Sequence, residues 1–171
     1  MCIRDRIIYH PEIKGGKRCG ALVQPQDITA TILEILEAKT MMPMHGRSLL
    51  PLLRGEETSW RDFAVTSPSI IHGPVSGQRI TVTTRDWALI YAGQVEDALK
   101  DNPGRRANLE RLEKITGKIR NELYNLRKDP RQERNAFEDE RDVAEQLHRK
   151  LISFLREVGT EERYLKYWAK I

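Results

Sequence analysis

Cysteine, histidine and long apolar runs are scarce in this sequence, and each scarcity excludes something. Cys2 and Cys19 are the only two cysteines. One pair is no disulfide framework, there is no C-x-x-C spacing, and no redox compartment can be read from them. The four histidines, His10, His45, His72 and His148, stand far apart without metal-ligand spacing. No apolar stretch approaches the ~20 residues that a membrane-spanning helix needs. The opening Met1-Cys2-Ile3-Arg4-Asp5-Arg6 is not followed by the apolar run of a secretory signal. A Gly-x-Ser-x-Gly elbow and a phosphate-binding P-loop are both missing. Excess charge of one sign is also missing: 29 basic residues face 25 acidic ones, a net +4. Arg111, Lys114, Lys118 and Arg120 are interspersed with Glu110 and Glu113, the pattern of a solvated helix face. No nucleic-acid partner is expected, because such binders gather their basic residues on one face.

What remains suits a globular chain. Its 171 residues are 39% hydrophobic, enough for a domain with a core. Ile7-Ile8-Tyr9 reads as a short buried strand stopped by Pro11. Residues 24–37 read as a helix, with Pro25 in the first turn, Asp27 near the positive end, and Ile28, Ile32, Ile35 and Leu36 on one face. Ser48-Leu49-Leu50-Pro51-Leu52-Leu53 predicts a short apolar helix ended by Gly55. A strand over 61–66 is expected, then a loop rich in proline and glycine. Ile80-Thr81-Val82-Thr83 and Trp87-Ala88-Leu89-Ile90-Tyr91, joined at Arg85-Asp86, predict an antiparallel hairpin. Residues 95–121 read as charged helix, striped by Leu109, Leu112, Ile115 and Ile119. Glu122-Leu123-Tyr124-Asn125-Leu126 predicts another strand. Residues 142–158 carry the strongest helical pattern, with Val143, Leu147, Leu151, Phe154, Leu155 and Val158 on one face and Gly159 as the stop. His148 is expected to face solvent. The aromatic tail around Tyr164, Tyr167 and Trp168 either docks on the sheet or hangs free. The order predicts a small antiparallel sheet covered on one face by the last helix.

Few residues suggest chemistry. Cys19 has cations beside it that could lower its pKa, but a small residue in a loop is the commoner case. Glu138-Asp139-Glu140 reads as acids favouring a helix N-terminus rather than a cation site. His72 sits in the Gly/Pro-rich loop, where binding residues tend to be placed, and is either an exposed loop histidine or a substrate contact. Arg79 follows that loop and could grip an anion with its planar fork.

Five stretches, in order, resemble one family. Residues 21–34, Ala21-Leu22-Val23-Gln24-Pro25-Gln26-Asp27-Ile28 onward, are similar to the sulfatase segment after its last catalytic residue. His45-Gly46-Arg47-Ser48-Leu49-Leu50-Pro51-Leu52-Leu53-Arg54-Gly55 resembles that family's G-K/R-S-L-L-P-L-L-x-G element. Trp60-Arg61-Asp62 resembles the lead into its next strand. Residues 81–91 resemble its R-T-x-x-W/Y-K-L-I-Y hairpin, with Ala88 where lysine is usual. Glu122-Leu123-Tyr124-Asn125-Leu126-Arg127-Lys128-Asp129-Pro130, with Asn135, resembles E-L-Y-D-L-x-x-D-P-x-E-x-x-N. Each is weak alone, but five in register over residues 6–159 are specific.

The resemblance implies an α/β fold (α+β for this portion): the last part of the sulfatase core plus a small antiparallel sheet under a long C-terminal helix. It divides the chain into a non-native lead-in over 1–5, the end of a catalytic domain over 6–60, an antiparallel subdomain over 61–159 with a helical insertion at 92–121, and a tail over 160–171. It implies hydrolysis of sulfate esters or sulfamates by a longer protein, acting on a sulfated small molecule or glycan. Calcium and a formylglycine made from a Cys/Ser-x-Pro-x-Arg motif would be its cofactors, and a periplasmic or secreted location is compatible with it. The motif does not transfer: Cys2 is followed by Arg4 where proline belongs, and Cys19-Gly20-Ala21 lacks both partners. The catalytic and metal-binding groups are expected upstream of Arg6, in a region this chain would partner, so catalysis by this chain alone is not expected. His72 and Arg79 are the candidates for a pocket wall. Two rivals stay open: a phosphonate or phosphodiester hydrolase of the same superfamily, and a non-enzymatic helical interaction module.

Overall fold

The computed structural model describes residues 7–39, 43–56, 60–67, 70, 73–76 and 79–171. The chain forms two compact units, Met1–Ala64 and Val65–Ile171.

In the first unit, helix α1 spans Pro25–Ile35 and helix α2 spans Leu50–Arg54. A proline lies in the first turn of each, Pro25 and Pro51, where a missing amide costs nothing. Gly55 ends α2 at φ 81, a left-handed turn that disfavours a side chain. The inward face of α1 is polar: Asp27 and Thr31 are buried, while Ile32, Ile35 and Leu36 are exposed, Leu36 to 68%. A Cβ on Gly46 would lie 2.1 Å from the Gln26 carbonyl oxygen, so the 45–47 strand of chain can pass the first turn of α1 only as glycine. The expected buried strand at Ile7-Ile8-Tyr9 does not form. Those residues have no regular structure, and Ile7 and Tyr9 are 101% and 85% exposed. An apolar triplet becomes a strand only when another strand offers hydrogen bonds, and among the described residues none pairs with it.

An antiparallel sheet runs in the order β1-β2-β3-β4, with β1 Phe63–Thr66 at the boundary of the units and β2 Ile80–Thr84, β3 Trp87–Tyr91 and β4 Glu122–Asn125 in the second unit. Register aligns Val82, Leu89 and Leu123 across three strands, and all three are buried. The two-residue period puts them on one face. Helix α5, Arg141–Glu157, lies against β2 and β3 and covers that face with Leu147, Leu151 and Leu155. The hairpin turn is held by Thr84, whose hydroxyl accepts from the Trp87 amide at 3.0 Å.

The charged region after β3 is helical, but in two pieces: α3, Val95–Asp101, and α4, Arg106–Thr116, separated by a turn over Pro103–Arg105. Proline has no amide to continue α3, which is why the helix stops there. Leu109 is buried, whereas Ile115 of the same stripe is 76% exposed. The tail docks. Through α6, Glu162–Leu165, it brings Leu165, Tyr167 and Trp168 into the core of the unit. That docking overturns the expectation for His148, which is buried at 5% exposure. Its Nε2 lies 2.7 Å from the Trp168 carbonyl oxygen, and its ring packs edge-on to Tyr91 at 4.8 Å.

Candidate functional site

Three of the five sequence landmarks converge on one carboxylate. Asp27 lies in the first turn of α1 and reaches back to the Gln24 amide at 2.7 Å, the reciprocal cap of a helix start. Its other oxygen accepts from the Arg47 amide at 3.0 Å. Arg61 then closes on it with both arms, Nη1 to Oδ2 at 2.6 Å and Nη2 to Oδ1 at 2.7 Å. The Arg47 guanidinium stacks over Trp60 at 4.2 Å. One turn on, Thr31 donates to the Asp27 carbonyl at 2.6 Å and accepts from the Leu49 amide at 2.8 Å. Burial pushes the Asp27 carboxyl up, but Arg61 and the amides of Arg47 and Gln24 outweigh it and hold the group below its usual range. All its lone pairs are spent, so this node fastens the fold and is not a reactive acid. In the sequence alone Asp27 is legible only as a helix-end charge.

The last landmark is a second fastening. Asp129 accepts from the amides of Arg134 at 2.9 Å and Glu133 at 3.1 Å, which lower its pKa in that order. Asn135 accepts from the amides of Leu123 at 2.9 Å and Phe137 at 3.0 Å, and donates to the Asn121 carbonyl at 3.2 Å. It thereby ties β4 to the turn that launches α5.

Of the two sequence-derived site residues, His72 lies outside the described residues. Arg79 is described, immediately before β2. Its Nη1 donates to Glu122 at 2.8 Å, on the first residue of β4. The other Glu122 oxygen accepts from the Tyr124 hydroxyl at 2.9 Å. Burial and then the Glu122 carboxylate raise the Tyr124 pKa, so the phenol stays protonated and donating. Arg79 is about one-third exposed and spends one of its five donors on this pair. An anion could still be gripped by the rest of the fork. An open groove of about 470 Å³ is lined by residues of the 92–121 region, among them Gly93, Glu96, Arg106, Glu113, Lys118 and Arg120. Arg106 and Glu96 of this lining pair at 3.0 Å, and Glu113 accepts from the Ile119 amide at 3.2 Å.

Among the described residues, no three His, Cys, Asp or Glu side chains converge as metal ligands. Cys19 is exposed and lacks the proline and arginine of the modification motif. The described residues therefore do not fit a calcium ion or a formylglycine. Among the described residues no helix is long and apolar enough to cross a membrane.

No family model matches the sequence. An ulvan-active sulfatase of Formosa agariphila is 26% identical over 159 residues, covering 86% of this chain and 31% of that protein. The phosphonate monoester hydrolase of Agrobacterium radiobacter superposes with a TM-score of 0.52 at 19% identity, over 77% of this chain and 24% of that one. A candidate sulfatase of Bacteroides thetaiotaomicron superposes with a TM-score of 0.50 at 15% identity, over 85% of this chain and 30% of that one. This chain thus spans less than a third of the length of each. It is similar at low identity to a sulfatase, and its four-stranded sheet with packed helices has the fold of the C-terminal part of such structures.

Proposed function

We propose that this chain is the C-terminal portion of a sulfuric-ester hydrolase, serving as scaffold and as one wall of the substrate pocket through His72 and Arg79. The observation that carries the reading is the coincidence of five ordered landmarks with a sulfatase relative aligned over 159 residues. The outward face of α1 supports it: Ile32, Ile35 and Leu36 form an apolar strip of the kind that further chain covers. In this role Arg79 binds and orients the anionic ester oxygens, with Glu122 fixing its plane. The nucleophile and its metal come from elsewhere in the longer protein. The substrate class is a sulfated carbohydrate, by analogy with the ulvan-active relative.

A second reading keeps the superfamily and changes the leaving anion. The fold is shared with a phosphonate monoester hydrolase, and a phosphonate monoester carries the same single negative charge as a sulfate ester, so an arginine such as Arg79 would not separate the two by charge. A panel of chromogenic esters tests both readings on the full-length protein. Preferential turnover of the sulfate ester, with none by residues 1–171 alone, is the expected result. Preference for a phosphonate monoester would replace the first reading with the second, and turnover by the 171-residue chain would remove both.

A further inference from the structure

Three backbone carbonyls of the tail are held by hydrogen bonds. The Tyr167 carbonyl accepts from the Gln94 amide at 2.7 Å, the Trp168 carbonyl meets His148 Nε2 at 2.7 Å, and the Lys170 carbonyl accepts from the Gln94 side chain at 2.7 Å and from the Tyr91 hydroxyl. Two glycines are shaped to it. A Cβ on Gly93 (φ 71) would lie 2.8 Å from the Trp168 indole, and a Cβ on Gly73 (φ 62) would lie 2.9 Å from the Tyr167 ring. Gly73 starts the short turn Gly73–Ser76, which lies against α3 and α4 and whose Pro74 is fully buried. The same Gly73 position faces Ala98 of α3 at 3.4 Å. Beyond the ring, the Tyr167 hydroxyl donates to Asp101 Oδ2 at 2.6 Å, and Lys166 Nζ reaches the same oxygen at 2.6 Å. These bonds, the Lys166 ammonium first, keep the Asp101 carboxyl ionised below its usual range.

We infer that Tyr167 is a positioning residue: its ring, seated against Gly73, sets the Gly73–Ser76 turn, which ends three positions ahead of Arg79. The role in substrate binding rests on the reading of Arg79 as a pocket wall, whereas the mechanical tie does not. An aromatic ring against a bare glycine backbone leaves the turn no room to shift toward the tail, and the left-handed φ leaves it little choice of backbone.

The test uses the full-length protein with Tyr167→Ala, which removes ring and hydroxyl, and Tyr167→Phe, which keeps the ring. Amide hydrogen exchange at residues 73, 75, 76 and 79 is expected to quicken roughly tenfold in Tyr167→Ala and to stay near wild type in Tyr167→Phe, with the β3 amides as the control for intact folding. KM for the sulfate ester should rise in Tyr167→Ala with kcat little changed, and Tyr167→Phe should restore it. Unchanged exchange in Tyr167→Ala overturns the tie. Faster exchange with an unchanged KM overturns the positioning role. If the wild-type protein turns over no sulfate ester, the proposed function fails, and exchange alone still decides the tie. Should Tyr167→Ala lose β3 protection, Tyr167→Leu replaces it under the same criteria.

Discussion

Asp27 and Arg61 meet in a two-armed ion pair across 34 residues of chain, with the carboxylate fully buried and the guanidinium side chain 15% exposed. Removing one partner strands the other and also orphans the Gln24 and Arg47 amides. Asp27→Ala is expected to cost about 3–5 kcal/mol in the first unit, read as lost hydrogen-exchange protection in α1. Because the folded carboxyl titrates below its value of 3.8, its contribution is present above that pH. It is lost as pH falls through the lower folded value, and Asp27→Asn should abolish that acid-side slope.

His148 predicts a milder acid sensitivity in the second unit. Burial beside Tyr91 and Trp168 lowers its pKa from 6.5, against the opposing pull of the Trp168 carbonyl. The neutral ring is therefore the folded form. Its contribution is complete above pH 6.5 and disappears as pH falls through the folded value. Arg149 adds to the lowering and Glu145 works against it. Tryptophan fluorescence and melting temperature should fall together below pH 6.5, and His148→Gln should flatten that dependence. The buried Tyr91 phenol, pushed up to about 12 by its surroundings, stays a donor throughout.

Asn135→Ala removes the acceptor of two amides and the donor to Asn121. A loss of about 1–3 kcal/mol in denaturant melting is expected, because buried amides left without partners bear the desolvation cost. Asn135→Asp keeps the acceptor and should lose less, with faster exchange of the Leu123 amide as the local readout.

Arg79→Ala separates binding from stability. Its pair with Glu122 is partly exposed, so stability should change by under ~1 kcal/mol. If Arg79 grips the ester anion of the full-length enzyme, KM should rise about 10–100-fold, the worth of a charge-assisted bond. Arg79→Lys should restore little of it, since an ammonium cannot present two parallel donors. Equal kinetics in wild type and Arg79→Ala would leave the residue a strand-edge ion pair.

Much of the second unit is legible in the sequence, because its elements obey simple periods. The alternation in β2, the hairpin turn before Trp87 and the helical stripe of α5 each stand within a dozen or so residues. What sequence order hides is what covers what. His148 reads as solvent-facing beside Leu147 because its cover, Trp168, arrives twenty residues later from a tail whose docking no local pattern announces. Ile7-Ile8-Tyr9 has strand composition without a partner. The apolar stripe of α1 is legible, but the inward direction belongs to Asp27 and Thr31, since buried hydrogen bonds to distant segments outrank the stripe. Of the candidate site, Arg79 is legible as a type in a place. Its bond to Glu122, 43 positions on, is not.

Of the residues in the five landmarks, Asp27, Arg47, Arg61, Asp129 and Asn135 bond to main chain or to one another, and Gly46 lies tight against main chain. A change of ester chemistry in some descendant would put no pressure on them. They should therefore persist in lineages that hydrolyse phosphorus or sulfur esters alike, and even in lineages that have stopped hydrolysing anything. Such residues report ancestry faithfully and occupation poorly.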